Sequence, residues 1–241
     1  MHPKVFNMKS ERCLVCMGDV DQGMDLVGWL KGDDIICGKC RKAFERIDVH
    51  TNLENIPCHI LYTYNDELED DLYRFKENRD IALAPIFFHL DVERINKRYR
   101  GFQIVIMPSN QEKIAMRSFH HMSEMLKAIK LPILDPFYKT KVHKQSLQTF
   151  LNRKNIQKIM KIKPGFTFPE APLLIIDDVI TTSATMKWAC HLLEGHGYPI
   201  EILALSANPL FLEKAKKRKL VESIIAFKNR SDYNRKHKKG W

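Results

Sequence analysis

Asp177 and Asp178 stand side by side after a four-residue apolar run, Leu173-Leu174-Ile175-Ile176, and lead into Val179-Ile180-Thr181-Thr182-Ser183-Ala184-Thr185. An apolar strand ending in carboxylates delivers them to the carboxyl edge of an open α/β sheet, where such sheets bind ligands. The small, hydroxylated turn that follows opens a helix. Its free backbone N–H groups and the hydroxyls of Thr181, Thr182, Ser183 and Thr185 can surround a phosphate at the positive end of the helix dipole. Paired acids above such a nest suit the two hydroxyls of a ribose ring, directly or through Mg²⁺. The alternative is a surface turn in which the aspartates merely solvate the strand end.

A second constellation lies near the N-terminus. Cys13-x2-Cys16 and Cys37-x2-Cys40 are separated by twenty residues. Each CxxC turn aims two sulfurs at one point, and two turns complete a tetrahedron about 2.3 Å from a zinc ion. A site closed by four thiolates is structural rather than catalytic. Residues 1–45 have few apolar side chains, so metal would supply what a local core cannot. A pair of disulfides is the competing reading, disfavoured in a reducing cytosol. Cys58 and Cys190 are lone and read as core residues.

These residues need elements to hold them. Ile60 to Tyr64 is β-prone. Glu67 to Asp80 is charged, with Leu68, Leu72 and Phe75 at helical spacing. Ile81 to His89 reads as a buried helix or a strand. Gln103 to Met107 is a buried strand stopped by Pro108. Ser109 and Asn110 offer a cap for a helix over Ile114 to Ile129. Lys139 to Lys163 is basic and without acids, a mobile loop leading into a weak helix. From Pro172 the alternation is strand, helix, strand, helix, strand: Leu173 to Ile176, a helix from about Ala184, Ile200 to Leu205, a helix after Asn208-Pro209, and Ile224 to Phe227. That order implies right-handed crossovers and a parallel sheet.

Composition narrows the classes. The chain has 241 residues, 44% hydrophobic and 28% charged, as in a globular protein rather than a disordered one. Ile81 to Phe88, the longest apolar run, contains Pro85 and is far too short to cross a bilayer. No apolar segment follows Met1-His2-Pro3-Lys4, so membrane insertion and secretion are not expected and a cytoplasmic location is. Net charge is +10, and Glu213 to Trp241 carries eleven Lys/Arg against three acids. A basic terminus suits a phosphate-bearing partner as well as it suits a solvated helix and frayed tail.

The run from Leu173 to Thr185 resembles the phosphoribosyl-pyrophosphate fingerprint of type I phosphoribosyltransferases: four apolar residues, two acids and a Thr/Gly-rich loop. The resemblance implies an α/β, parallel-sheet phosphoribosyltransferase-like domain. In it Asp177 and Asp178 contact ribose hydroxyls, and Thr181, Thr182, Ser183, Ala184 and Thr185 hold the 5′-phosphate. Ser183 stands where that family usually has glycine, which narrows the choice of φ. Met107-Pro108-Ser109-Asn110, Lys113 and the stretch Arg117-Ser118-Phe119-His120-His121 are similar to the pyrophosphate-loop region of the ComF branch, which typically has Arg-Gly-Phe-Asn-Gln. Lys139, Lys141, Lys144 and Gln145 resemble its basic flexible loop. His120 is expected exposed and His121 partly buried, facing different directions.

Four cysteines ahead of such a domain, and a segment ending in Phe75-Lys76 and Asp80, identify the chain as similar to the ComF family. The resemblance implies residues 1–50 as a zinc module, 51–100 as a connecting hood, 101–230 as the phosphoribosyltransferase-like domain and 231–241 as a basic tail. It implies a role in natural transformation, where imported single-stranded DNA is handled. Zinc would be structural, and Mg²⁺ would accompany phosphoribosyl pyrophosphate. Lys113 and Arg117 would join Asp177 and Asp178 at that ligand. Single-stranded DNA is the expected macromolecular partner, with Phe119, Tyr138 and Trp241 as candidate stacking groups. Two other readings stand beside this one: an active transferase on an unassigned base, and a silent adaptor for a DNA-translocating helicase.

Overall fold

The computed structural model describes residues 12–23, 34–139, 160–181 and 183–217. Eight strands are assigned among them: β1 (Arg46–Leu53), β2 (Ile56–Thr63), β3 (Gln103–Ile106), β4 (Ile133–Leu134), β5 (Phe137–Lys139), β6 (Met160–Ile162), β7 (Leu173–Ile180) and β8 (Ile200–Ala207). Six of these form one sheet in the order β1-β2-β8-β7-β3-β4, while β5 and β6 pair separately and antiparallel. Every pair in the large sheet is parallel except β1–β2. The expected α/β class and parallel sheet are what the chain adopts.

Strand β7 sits centrally and is buried on both faces, which is why it reads as an unbroken apolar run. Leu174 and Ile176 pack with Leu203 in one core; Leu173 and Ile175 pack with Ile202 and Ala204 in the other. The first core is roofed by α2 (Asp66–Lys76), the 3₁₀ segment Ile81–Phe87 and α5 (His121–Met125). The second is closed by α6 (Ala184–Leu192) and the β5–β6 ribbon, through Met186, Cys190, Phe137 and Met160. Cys58 and Cys190 are core residues there, as expected.

Several sequence expectations are corrected. Strand β7 does not stop at Ile176: Asp177 still pairs with Ala204, and Ile180 with Ala207, because β8 is equally long. The helix expected over Ile114 to Ile129 breaks into α4 (Gln111–Arg117) and α5, since Ser118 turns left-handed at φ 67° and ends α4. Asn110 does cap α4, its side chain accepting from Glu112 N at 2.9 Å. The segment 81–87, left between helix and strand, is 3₁₀, the tight geometry in which Pro85 is accommodated. Lys139 and residues 160–162 form strands; the intervening residues, with Lys141, Lys144 and Gln145, fall outside the described ones, as do Ile224 to Phe227 and Trp241.

Strand β1 was not anticipated. Its sequence, Arg-Ile-Asp-Val-His-Thr-Asn-Leu, is polar, and it bulges between Arg46 and Val49, where Asp48 has φ 45°. The hairpin to β2 closes through Glu54 and Asn55, both left-handed, the twist that suits a two-residue turn. Buried Asp91 anchors the hairpin to the roof. It accepts from Arg46 Nη2 at 2.6 Å, Arg94 Nη2 at 2.7 Å and the Tyr62 hydroxyl at 2.7 Å. A third helix, α3 (Val92–Arg98), starts from it. Ahead of β1, the short helix α1 (Gly38–Ala43) starts at Cys37, and residues 209–217 are helical after Asn208.

Candidate functional site

The four cysteines converge. The sulfurs of Cys13, Cys16, Cys37 and Cys40 all lie within 4.8 Å of one another, and Cys16 Sγ is 3.8 Å from Cys37 Sγ. Ligands about 2.3 Å from a tetrahedral centre stand roughly 3.8 Å apart, so this spacing fits a zinc ion. Backbone geometry arranges it: Leu14 N donates to Ile35 O at 3.0 Å, binding one knuckle to the other. Cys37 caps α1, its sulfur accepting from Cys40 N at 3.5 Å. All four are free thiols, so the disulfide alternative is not adopted. The cluster can hold a metal such as zinc, and it is built into the main core: Cys13 and Cys37 pack with Phe44, Leu61 and Phe75, while Arg74 Nη1 donates to Val15 O at 2.9 Å.

The acid pair lies at the carboxyl end of the parallel strands. Each carboxylate folds back on the chain: Asp177 Oδ1 accepts from Asp178 N at 3.0 Å, and Asp178 Oδ1 accepts from Val179 N at 2.9 Å. Asp178 Oδ2 forms an ion pair with Lys76 Nζ. His121 Nε2 stands 3.7 Å from the same oxygen, and His121 Nδ1 is 3.0 Å from Ser109 Oγ. Burial pushes the Asp177 carboxyl up to about 6, although the charges of Lys76 and Lys139 pull the other way. Burial likewise takes Lys76 down to about 8, against the attraction of Asp177. His121 titrates far below its usual range, through burial first and then the nearby cations, and is neutral at physiological pH.

Three elements meet here for physical reasons. Helix α2 begins at Asn65, whose side chain accepts from Leu68 N at 3.1 Å, and buries Leu68, Leu72 and Phe75. Phe75 packs on Phe87 and Phe119 with ring centroids 5.3 and 5.2 Å away. Lys76 is the last residue of that helix, an end that favours a cation. Helix α5 carries His121, and the β5 strand ends on Lys139.

Of the expected ligand residues, Lys113 and Arg117 reach the rim but are held by Glu77. Arg117 Nη2 donates to Glu77 Oε1 at 2.5 Å, and Lys113 Nζ lies 3.5 Å from the same oxygen. Although burial opposes it, these two cations keep the Glu77 carboxyl below its ordinary range. Thr181 and Thr185 are exposed, Ser183 and Ala184 half-buried, and Thr182 is outside the described residues. Ser183 takes φ 59°, then α6 begins at Ala184. The glycine-like backbone expected of that turn is therefore kept by a serine.

His121 is partly buried as expected, but His120 and the relation of the two rings differ from expectation. His120 precedes α5 in extended backbone, its side chain accepting from Ser123 N at 3.4 Å, so the two rings stack 5.4 Å apart instead of diverging around a helix. His120 is half-buried rather than exposed.

Sequence reasoning set Ser109 and His121 in stretches similar to a pyrophosphate-loop region without giving either a role, and did not assign Lys76 or Glu77 to the site. Lys76 carried a signal: it lies four residues after Leu72, on the stripe where helical periodicity calls for an apolar side chain.

A Mg²⁺ ion held directly by the two carboxylates does not fit this arrangement. Both Oδ1 atoms take backbone N–H groups, Asp178 Oδ2 has no hydrogen-bond partner but is ion-paired with the Lys76 ammonium, and the charge of Lys139 also bears on Asp177. A divalent cation requires oxygens without a competing positive charge beside them.

Against known proteins, the chain is 26% identical over 210 residues to competence protein ComFC of Streptococcus pneumoniae R6, covering 77% of this chain and 94% of that one. This chain is similar to ComFC. The ComFC of Bacillus subtilis 168 is 24% identical over 214 residues, covering 75% and 88% of the two chains. No family model matches. Among solved structures, a hypoxanthine phosphoribosyltransferase from Staphylococcus aureus is 22% identical, with 61% of this chain and 73% of that chain covered at a TM-score of 0.34. The hypoxanthine phosphoribosyltransferase of Trypanosoma cruzi is 10% identical, with 55% and 78% covered at a TM-score of 0.35. Among the described residues, no helix is long and apolar enough to cross a membrane.

Proposed function

We propose that this chain is a competence protein of the DNA-uptake machinery, built on a phosphoribosyltransferase-like sheet, whose acid pair and adjoining turn bind a phosphoribosyl pyrophosphate-like ligand. The observation that carries the ligand reading is the placement of Asp177 and Asp178 in the carboxyl-terminal half of β7, with Ser183 in left-handed backbone five residues beyond Asp178 where α6 opens. Backbone N–H groups at that helix start meet the phosphoryl group, and the hydroxyls of Thr181, Ser183 and Thr185 complete the nest. The carboxylates accept hydrogen bonds from the sugar hydroxyls. Lys76, Lys113, Arg117 and Lys139 set a positive potential around the acids, which draws in a polyanion.

The ComFC relatives support the competence role. The basic rim also serves single-stranded DNA, whose backbone seeks the same potential. Lys214, Lys216 and Lys217 on the helix over 209–217 are further exposed cations. The zinc cluster fastens α2, and with it Lys76, to the roof of the site. A calorimetric titration with phosphoribosyl pyrophosphate tests the ligand reading: the wild type binds, and Asp177→Asn with Asp178→Asn loses binding at least about tenfold. Equal binding by both proteins would remove the acid pair from the function.

A further inference from the structure

Lys76 is better buried and better placed than a solvated lysine at a helix end. Its side chain is 20% exposed, that of Asp178 only 10%, and the two form an ion pair within the cleft. The stem leaves α2 beside Phe75, whose ring is locked between Phe87 and Phe119. The end of α2 that carries Lys76 is thereby fixed. Around it, Asp177 supplies the attraction, while Arg117 and Lys113 from α4 add repulsion. Lys139 from β5 bears on Asp177 as well, and the partly buried His121 contributes a neutral ring.

We propose that Lys76 is a built-in cation of the acid pair, standing where a divalent metal would otherwise sit, so that Asp177 and Asp178 receive a ligand's hydroxyls without holding a metal ion themselves. An ammonium has three N–H donors. One faces Asp178, and the others remain to donate to hydroxyl oxygens, which in turn donate to carboxylate oxygens. The arrangement presents alternating donors and acceptors at fixed positions, as a metal–carboxylate site does, but with a group the chain carries permanently. Any Mg²⁺ that takes part enters on the ligand's own pyrophosphate oxygens.

Binding of Mn²⁺ to the full-length, zinc-loaded protein, followed by electron paramagnetic resonance, tests the proposal without any sugar ligand. The wild type and Lys76→Arg bind Mn²⁺ weakly and indifferently to Asp178→Asn. Lys76→Met binds it at least about tenfold more tightly, and Asp178→Asn in that background abolishes the gain. A wild type whose Mn²⁺ affinity falls on Asp178→Asn would overturn the proposal, and that comparison does not require Lys76→Met to fold. So would a Lys76→Met gain that survives Asp178→Asn. A second arm rests on the ligand reading above: phosphoribosyl pyrophosphate with Mg²⁺ binds the wild type at least about tenfold more tightly than Lys76→Met, whereas equal binding by the two would count against Lys76. Failure of the ligand to bind the wild type overturns the ligand reading, and the Mn²⁺ comparison still decides the role of Lys76.

Discussion

Ser118 and Ser183 share a backbone conformation. Their φ values are 67° and 59°, in the left-handed region that favours glycine. Ser118 ends α4 beside the rim residue Arg117, and Ser183 opens α6 beneath the acid pair. A non-glycine residue in the left-handed region costs about 1–2 kcal/mol. Two serines near the site thus hold backbone geometry that glycine adopts more readily.

That strain gives a stability prediction. Ser183→Gly relieves it but adds freedom to the unfolded chain, so the net gain is up to about 1 kcal/mol. Ser183→Val, with a branched Cβ in the same conformation, loses about 2 kcal/mol. Denaturant unfolding of the two variants checks the pair; a valine as stable as the glycine would show that the turn does not hold φ 59° in solution.

The four-cysteine cluster gives another. Because Cys13 and Cys37 belong to the main core, loss of metal should be felt by the whole fold rather than by a detached knuckle. Cys37→Ser releases zinc, measured by elemental analysis, and lowers stability by several kcal/mol. Unchanged melting with zinc absent would contradict a structural role.

How much of this was legible in the sequence follows from where each signal resides. Strand β7 and helices α2 and α6 announced themselves, because burial on both faces makes an apolar run and burial on one face makes a stripe. The cysteines were legible because thiolate spacing is local. Strand β1 was not, since an edge strand held by Arg46 and Asp91 needs no apolar alternation. Nor was the α4–α5 break: Ser118 does not look like a helix stop until its left-handed φ is seen. Lys76 and His121 reach Asp178 across 102 and 57 residues of sequence, and no local pattern encodes such a meeting.

The Asp177 carboxyl, raised to about 6 by burial, sets a pH dependence. Ligand hydroxyls donate to the ionised form, so affinity for phosphoribosyl pyrophosphate falls as pH drops through about 6. Stability moves oppositely. The folded state binds this proton more tightly than the unfolded chain, whose carboxylate titrates near about 4. The residue's stabilising contribution is thus fully present below about 4 and is lost as pH rises through 6. Asp177→Asn should remove both dependences; a wild-type affinity that is flat from pH 5 to about 7.5 would contradict the assignment.

Single-stranded DNA binding, if carried by the lysine-rich rim, depends steeply on salt because counterions are released. Binding of an oligonucleotide, followed by fluorescence anisotropy, should weaken by at least about tenfold between 50 and about 200 mM salt, and more when Lys214, Lys216 and Lys217 are changed to Gln. Salt-insensitive binding, or none, would remove nucleic acid from the account.

The central claim is spatial: a sugar phosphate lies with its phosphoryl group in the turn before α6 and its hydroxyls on Asp177 and Asp178. A crystal structure with phosphoribosyl pyrophosphate tests this directly. The account predicts phosphate density against the backbone N–H groups of residues 183–185 and a ribose ring at the lysine-compensated carboxylates. Ligand density elsewhere on the surface, with that turn empty, would contradict it.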